Sequence, residues 1–79
     1  MITFTYDRSV DAAYIEVTER PPASDGVAGT YECDFRNWTP DGVRLVHGGV
    51  NLDFDAQGHL LGIELLAASR ILPPEVFHS

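Results

Sequence analysis

The chain holds a single cysteine, Cys33, among its 79 residues. No internal disulfide can form, which fits a reducing cytoplasm. No histidine or cation stands beside Cys33 in sequence to hold a thiolate, so it reads as a small buried hydrophobe. Also missing is any run of about 18 apolar residues that could span a membrane. The opening stretch, residues 1–7, lacks the basic region and apolar core of a signal peptide. Basic residues are scarce: 5 against 12 acidic ones, for a formal charge of −7. A phosphate backbone would repel such a chain, which disfavours direct nucleic-acid binding, and an anionic membrane surface is disfavoured on the same ground. A basic protein partner is permitted, with opposite fields steering the encounter, although the same charge also serves plain solubility. A glycine-rich phosphate loop is absent as well. Gly48-Gly49 precedes a strand pattern, so no helix N-terminus faces an anion there. No cofactor is expected.

What is present suits one domain over 1–79. A chain this short buries roughly 60% of the surface its unfolded form exposes. Its stability margin is small, and association is a common remedy. A hydrophobic content of 44% argues for a folded core.

Ile2-Thr3-Phe4-Thr5-Tyr6 alternates apolar and polar residues, placing Ile2, Phe4 and Tyr6 on one face of a strand. Asp7 follows as a cap for one helical turn through Asp11. A second strand is expected from Ala12 to Thr18, antiparallel to the first, with Ala13, Ile15 and Val17 opposed to Tyr14, Glu16 and Thr18. Prolines and glycines make loops of 19–25 and 37–42. A third strand is expected at Val27–Asp34, and Val43–His47 reads as a short strand or more loop.

The closing hairpin is the strongest pattern. Val50-Asn51-Leu52-Asp53-Phe54 alternates, Asp55-Ala56-Gln57-Gly58 is a turn, and His59–Leu66 returns. Leu61, Ile63 and Leu65 line one face of the return strand, while Leu60 and Leu66 lie on the other. A strand apolar on both sides should be covered on both, one by the C-terminal segment and the other by a second subunit or partner. Leu60, Leu66 and Tyr14 are therefore the candidate association residues. Two registers compete. A turn with a Gly bulge sets Phe54 against Leu60, whereas matching the most apolar faces sets Leu52 against Leu61. They differ by one residue and so exchange the faces. Beyond Leu66, residues 67–71 suit a turn of helix, stopped by Pro73-Pro74. A second turn can begin at Pro74. The expected fold is α+β: an antiparallel sheet of four to five strands, a helical turn after the first strand and a short C-terminal helical segment.

Asp53, Asp55, Gln57, Gly58 and Glu64 fall at positions 1, 3, 5, 6 and 12 of a calcium-loop pattern. The incoming helix of such a loop is missing, and Glu64 sits well along a strand. A tight hairpin with Asp capping its turn explains the same residues. Asp53, Asp55 and Glu64 are nonetheless the carboxylates to test for a metal or small ligand. His47, His59 and His78 have no fixed spacing and read as solvated surface residues. Asp7 and Asp11 could serve an enzyme only if a cleft gathered them. Trp38 and Tyr31 read as core or interface anchors.

Residues 6–15, Tyr6-Asp7-Arg8-Ser9-Val10-Asp11-Ala12-Ala13-Tyr14-Ile15, resemble the opening of a bacterial family, domain of unknown function 2283, the YuzE-like proteins. Residues 50–64 resemble its closing signature. Ala68-Ser69-Arg70 and Leu72-Pro73-Pro74-Glu75 look like its tail, and Thr30–Asp34 like a branch with longer loops. Arg8 stands where the family often has proline, and Ala67 where it often has an acid. The resemblance implies a small, stand-alone, cytoplasmic protein of mixed strand and helix with no settled activity. Some members lie beside genes for small toxin-like proteins, which implies an antitoxin-like role. The resulting expectation is a non-enzymatic interaction module that binds a basic protein partner and self-associates as a homodimer. The alternative is a domain binding a divalent metal or small molecule through the carboxylates of the hairpin.

Overall fold

The structure is a computed structural model and describes residues 2–17, 26–35 and 48–77. The loops at 19–25 and 37–42, the strand at 43–47, Thr18, Trp38, His47 and His78 lie outside the described residues.

Five strands form one sheet: β1 (Thr3–Asp7), β2 (Ala12–Glu16), β3 (Gly29–Asp34), β4 (Gly49–Phe54) and β5 (Leu60–Leu66). The order is β1-β2-β5-β4-β3, antiparallel throughout. A short helix, α1 (Ala68–Ile71), and a 3-10 turn (Pro74–Phe77) follow. No helix among the described residues is long and apolar enough to cross a membrane. Strand dominates, so the α+β description fits only loosely: this is an antiparallel sheet with a short C-terminal helix.

No helical turn follows β1. Asp7 pairs with Ala12, so the chain reverses within four residues and no helix has room to start. Asp7 still caps, in another way. Its Oδ1 accepts the Ser9 backbone N–H at 2.9 Å and the Ser9 hydroxyl at 2.6 Å, an Asx turn that closes the hairpin.

Register sorts the side chains into rows. Tyr6, Ala13, Leu65, Val50 and Cys33 stand opposite one another across all five strands, and so do Phe4, Ile15, Ile63, Leu52 and Tyr31. Both rows are apolar and share a face. The other face carries Thr5, Tyr14, Glu64, Asn51 and Glu32 in one row and Thr3, Glu16, Gly62, Asp53 and Thr30 in the next. A side-chain period of two on every strand is what segregates them.

The hairpin takes one of the two competing registers at its tip and the other nowhere. Phe54 does face Leu60, but a bulge then sets Asp53 against Gly62 and Leu52 against Ile63, so the expected pairing of Leu52 with Leu61 does not form. The bulge moves Leu60 opposite Phe54, onto the apolar side. Only Leu66 keeps the place expected for both, on the polar face, where it is 40% exposed. The β5 strand is therefore apolar on one face, not two.

The C-terminal segment covers the first apolar row. Ala13, Leu65 and Ala68 are buried, with Tyr6, Val50, Leu72 and Phe77 packed around them. The Tyr6 and Phe77 rings meet edge to face, centroids 4.7 Å apart. Cys33 is exposed on the outer strand β3 and is not a core residue; an edge strand with no described neighbour beyond it leaves its side chains open. Tyr31, on the same strand, is 63% exposed and anchors no core.

Candidate functional site

Two polar constellations organise the molecule, and a third holds the hairpin tip. The first spans the polar face. Tyr14 lies across Gly62, the residue diagonal to it on β5. A Cβ at Gly62 would overlap the Tyr14 ring and hydroxyl. The missing side chain lets the phenol reach over β5 to β4, where it donates to Asp53 Oδ2 at 3.0 Å. From β3, Thr30 donates to Asp53 Oδ1 at 2.7 Å. One carboxylate on β4 thus ties β2 and β3 to it, with the Tyr14 ring passing over β5. In the adjacent row Asn51 donates to Glu64 Oε1 at 3.0 Å. Burial, the Asp53 hydrogen bond and the charge on Asp53 push the Tyr14 phenol up to about 12, because a phenolate there would be poorly solvated and face an anion.

The second constellation centres on Asp11, which sits at φ 51 at the end of the β1–β2 loop. Its Oδ1 accepts the Tyr6 hydroxyl at 2.7 Å and the Ser69 backbone N–H at 3.0 Å, and its Oδ2 accepts the Ser69 hydroxyl at 2.7 Å. Its backbone carbonyl accepts the Ala68 N–H at 2.9 Å. Asp11 therefore fastens α1 to the first hairpin. The Ser69 hydroxyl, then Tyr6, hold its carboxyl below the usual aspartate value, and at Asp7 the Ser9 hydroxyl, then the Ser9 backbone N–H, do the same.

At the hairpin tip Asp55 is 6% exposed. Its Oδ1 accepts the backbone N–H groups of Gln57 at 3.0 Å and His59 at 2.8 Å. Asp55 and His59 also pair through the backbone, Asp55 N–H to His59 carbonyl at 2.9 Å. The His59 imidazole is exposed, as expected of a surface histidine, with Nδ1 3.5 Å from Asp55 Oδ2.

The proposed carboxylates therefore divide. Asp53 and Glu64 share the polar face, in neighbouring rows, with both oxygens of Asp53 and one of Glu64 engaged. Asp55 belongs to the turn. Among the described residues no group of three or more His, Cys, Asp and Glu could hold a metal ion. Asp7 and Asp11 each serve a local turn or clamp. Tyr14, Leu60 and Leu66 are not one patch: Tyr14 is tied to Asp53, Leu60 faces Phe54, and Leu66 is exposed on the polar side.

Sequence reasoning missed Thr30, Asn51 and Ser69 as partners of these acids. The signal for Thr30 and Asn51 lay in strand register, which the bulge hid. Two open hollows lie on the polar face. One is lined by Thr5, Asp7, Ala12, Tyr14 and Glu64, the other by Glu32, Asp34, Gly49, Asn51 and Leu66.

These features define a small antiparallel-sheet protein with one apolar and one acidic face, clamped at one end by its C-terminal helix. A family model described as "Protein of unknown function (DUF2283)" matches residues 3–69, and the chain belongs to that family. The match runs from β1 into α1, so the Asp11 clamp and the Tyr14–Asp53–Thr30 chain both fall inside it. No curated protein and no solved structure matches the chain.

Proposed function

We propose that this chain is a non-catalytic interaction module whose polar sheet face receives a basic protein partner, in the manner of an antitoxin that masks a cationic surface. One observation carries the reading. The polar rows hold Glu16, Glu32, Asp53 and Glu64, each acid opposite a neutral residue, and no described strand contains a cation. The two described arginines, Arg8 and Arg70, stand in a loop and in α1. Staggered acids avoid the cost of like charges directly opposed. The hydrogen bonds from Tyr14, Thr30 and Asn51 hold two of the carboxylates in place before a partner arrives, which lowers the ordering cost of binding. Planar guanidinium groups fit such carboxylates with paired hydrogen bonds, and each hollow has acids in its wall.

The test is co-expression with the protein encoded beside this chain, followed by affinity measurement across salt. A complex that weakens at least tenfold between 50 and 300 mM salt (on the order of a few screened charge pairs) and again in Glu16→Gln/Glu32→Gln supports the proposal. No complex, or one indifferent to both changes, refutes it. The metal-binding alternative has less support, because Asp55 is committed to its turn and Asp53 to two donors. Calorimetry at millimolar calcium is expected to show no binding heat.

A further inference from the structure

We propose that the C-terminal segment, residues 68–77, is a strap that opens as a unit while the five-strand sheet stays intact, with Ala67 as its hinge and Asp11 as its latch. The inference stands apart from the partner proposed for the polar face.

The strap is bonded to the sheet at one place. Among the described residues, its hydrogen bonds to the strands and their loops all end on Asp11. The Ala68 N–H donates to the Asp11 carbonyl, the Ser69 N–H to Oδ1 and the Ser69 hydroxyl to Oδ2. Its other bonds close its own turns: Arg70 N–H to the Ala67 carbonyl, Leu72 N–H to Ala68 and Val76 N–H to Pro73. By contrast, β2 and β5 are each paired along their length with a strand on both sides.

The apolar hold is also slight. Ala68 is the buried residue of the strap, and a methyl group is its whole side chain. Leu72 and Phe77 are half-buried against the row of Ala13 and Leu65, with the Phe77 ring edge to face on Tyr6. Ile71 rests over Gly48, where an added Cβ would come within 2.9 Å of its Cδ1, so no side chain grips it there. A unit with few buried contacts and few bonds to its neighbours opens below the free energy of global unfolding.

The hinge favours the exit. Ala67 turns the chain from the end of β5 back over the apolar face, and it does so at φ 55 and ψ 47. That region strains a residue with a Cβ, and the strain is relieved when the strap lifts. Pro73 and Pro74 fix φ between α1 and the 3-10 turn, so the two move together. Asp11 stays behind, still holding the Tyr6 hydroxyl through Oδ1. Opening therefore uncovers Ala13, Leu65 and Val50 and leaves the latch formed for reclosure.

The latch is a carboxylate, so acid releases it. The charged and titratable groups around Asp11 are Tyr6 and Asp7 of β1, Arg8 of the loop and Arg70 of α1; the 3-10 turn adds Glu75, and the apolar face of β2 and β5 adds none. Docking of Ser69 lowers the Asp11 carboxyl. Closure is thus favoured above the ordinary carboxylate value and lost as pH falls through the lowered one.

Amide hydrogen exchange read by NMR tests the strap, with Arg70 and Leu72 reporting α1 and the slowest β5 amides reporting the whole fold. In the wild type, the strap amides are expected to exchange at least about tenfold faster than those of β5 after correction for intrinsic rates, with a shallower dependence on urea. Asp11→Asn should speed them about tenfold more, the factor for one hydrogen bond to a charged group, and should abolish their loss of protection below about pH 4. Thr30→Val, which removes a bond on the polar face, should speed β5 and leave the strap unchanged. Strap and β5 amides that share one rate and one urea slope overturn the proposal. So does a strap that Thr30→Val speeds as much as it speeds β5, or one that Asp11→Asn leaves as it was. If Asp11→Asn fails to fold, Ser69→Ala removes the hydroxyl bond alone and must speed the strap amides in the same direction.

Discussion

Replacing Gly62 with alanine should break the link that spans the polar face. The added Cβ falls on the Tyr14 ring and hydroxyl, so the ring must swing away and its 3.0 Å bond to Asp53 Oδ2 is lost. A hydrogen bond to a charged acceptor is worth about 1.5–3 kcal/mol. Tyr14 is only partly buried, so the low end applies, plus the area that the displaced ring uncovers. Against this, alanine recovers about 0.5–1 kcal/mol of the backbone entropy that glycine loses in a strand. The net cost is about 1–2 kcal/mol, or roughly 4–16 °C in Tm for a chain of this size. Thermal unfolding by circular dichroism measures it. Tyrosinate absorbance adds a second readout: the titration that Tyr14→Phe removes should centre at about 12 in the wild type and fall toward the ordinary phenol value in Gly62→Ala. The raised phenol also sets a direction for stability. Its folded value lies above the unfolded one, so the contribution is complete below pH 10 and is lost as pH rises toward 12. In a Tyr14→Ala background the same Gly62→Ala change has nothing to strike and should be neutral or stabilising. A double-mutant cycle with no coupling, or an unmoved phenol titration, would refute the reasoning.

Three further changes probe the clamp and the turn. Asp11 is held below the usual carboxylate value by Ser69 and Tyr6, so its contribution is present above about pH 4 and lost as pH falls through the lowered value. Asp11→Asn should lower Tm at neutral pH and flatten the acid limb of the stability profile. Ala67 adopts φ 55 and ψ 47 ahead of α1, a conformation costly for a residue with a Cβ. Ala67→Gly should therefore stabilise by about 0.5 kcal/mol after glycine's entropy cost, read as a higher urea midpoint. Asp55→Ala removes the acceptor of two backbone N–H groups at a buried position and should cost about 1–2 kcal/mol, with the largest loss of amide protection at Gln57 and His59 by hydrogen exchange.

Much of the sheet is legible in the residues. Thr3–Tyr6, Ala12–Glu16 and Val50–Phe54 alternate, and alternation is a local property that survives folding unchanged. The short helix after Leu66 and the turn at Pro74 follow from helix formers bounded by prolines. The opening turn is less legible, because an aspartate before three non-glycine residues suits a helical cap and an Asx turn equally. The pairing of Asp7 with Ala12 chose between them.

Local pattern by itself determined the strands, the hairpin at Asp55–Gly58 and the acidic balance, since each depends on neighbours two to four residues apart. Only the tertiary structure decided which side chains share a face across the sheet. One bulge beside Phe54 shifts every later pair by a residue. That shift places Asp53 opposite Gly62, leaves room for the Tyr14 ring, and returns Leu60 to the apolar side. Asp11 meets Ser69 across 58 residues of chain, a contact no local spacing encodes, because it exists only once β2 and β5 lie side by side.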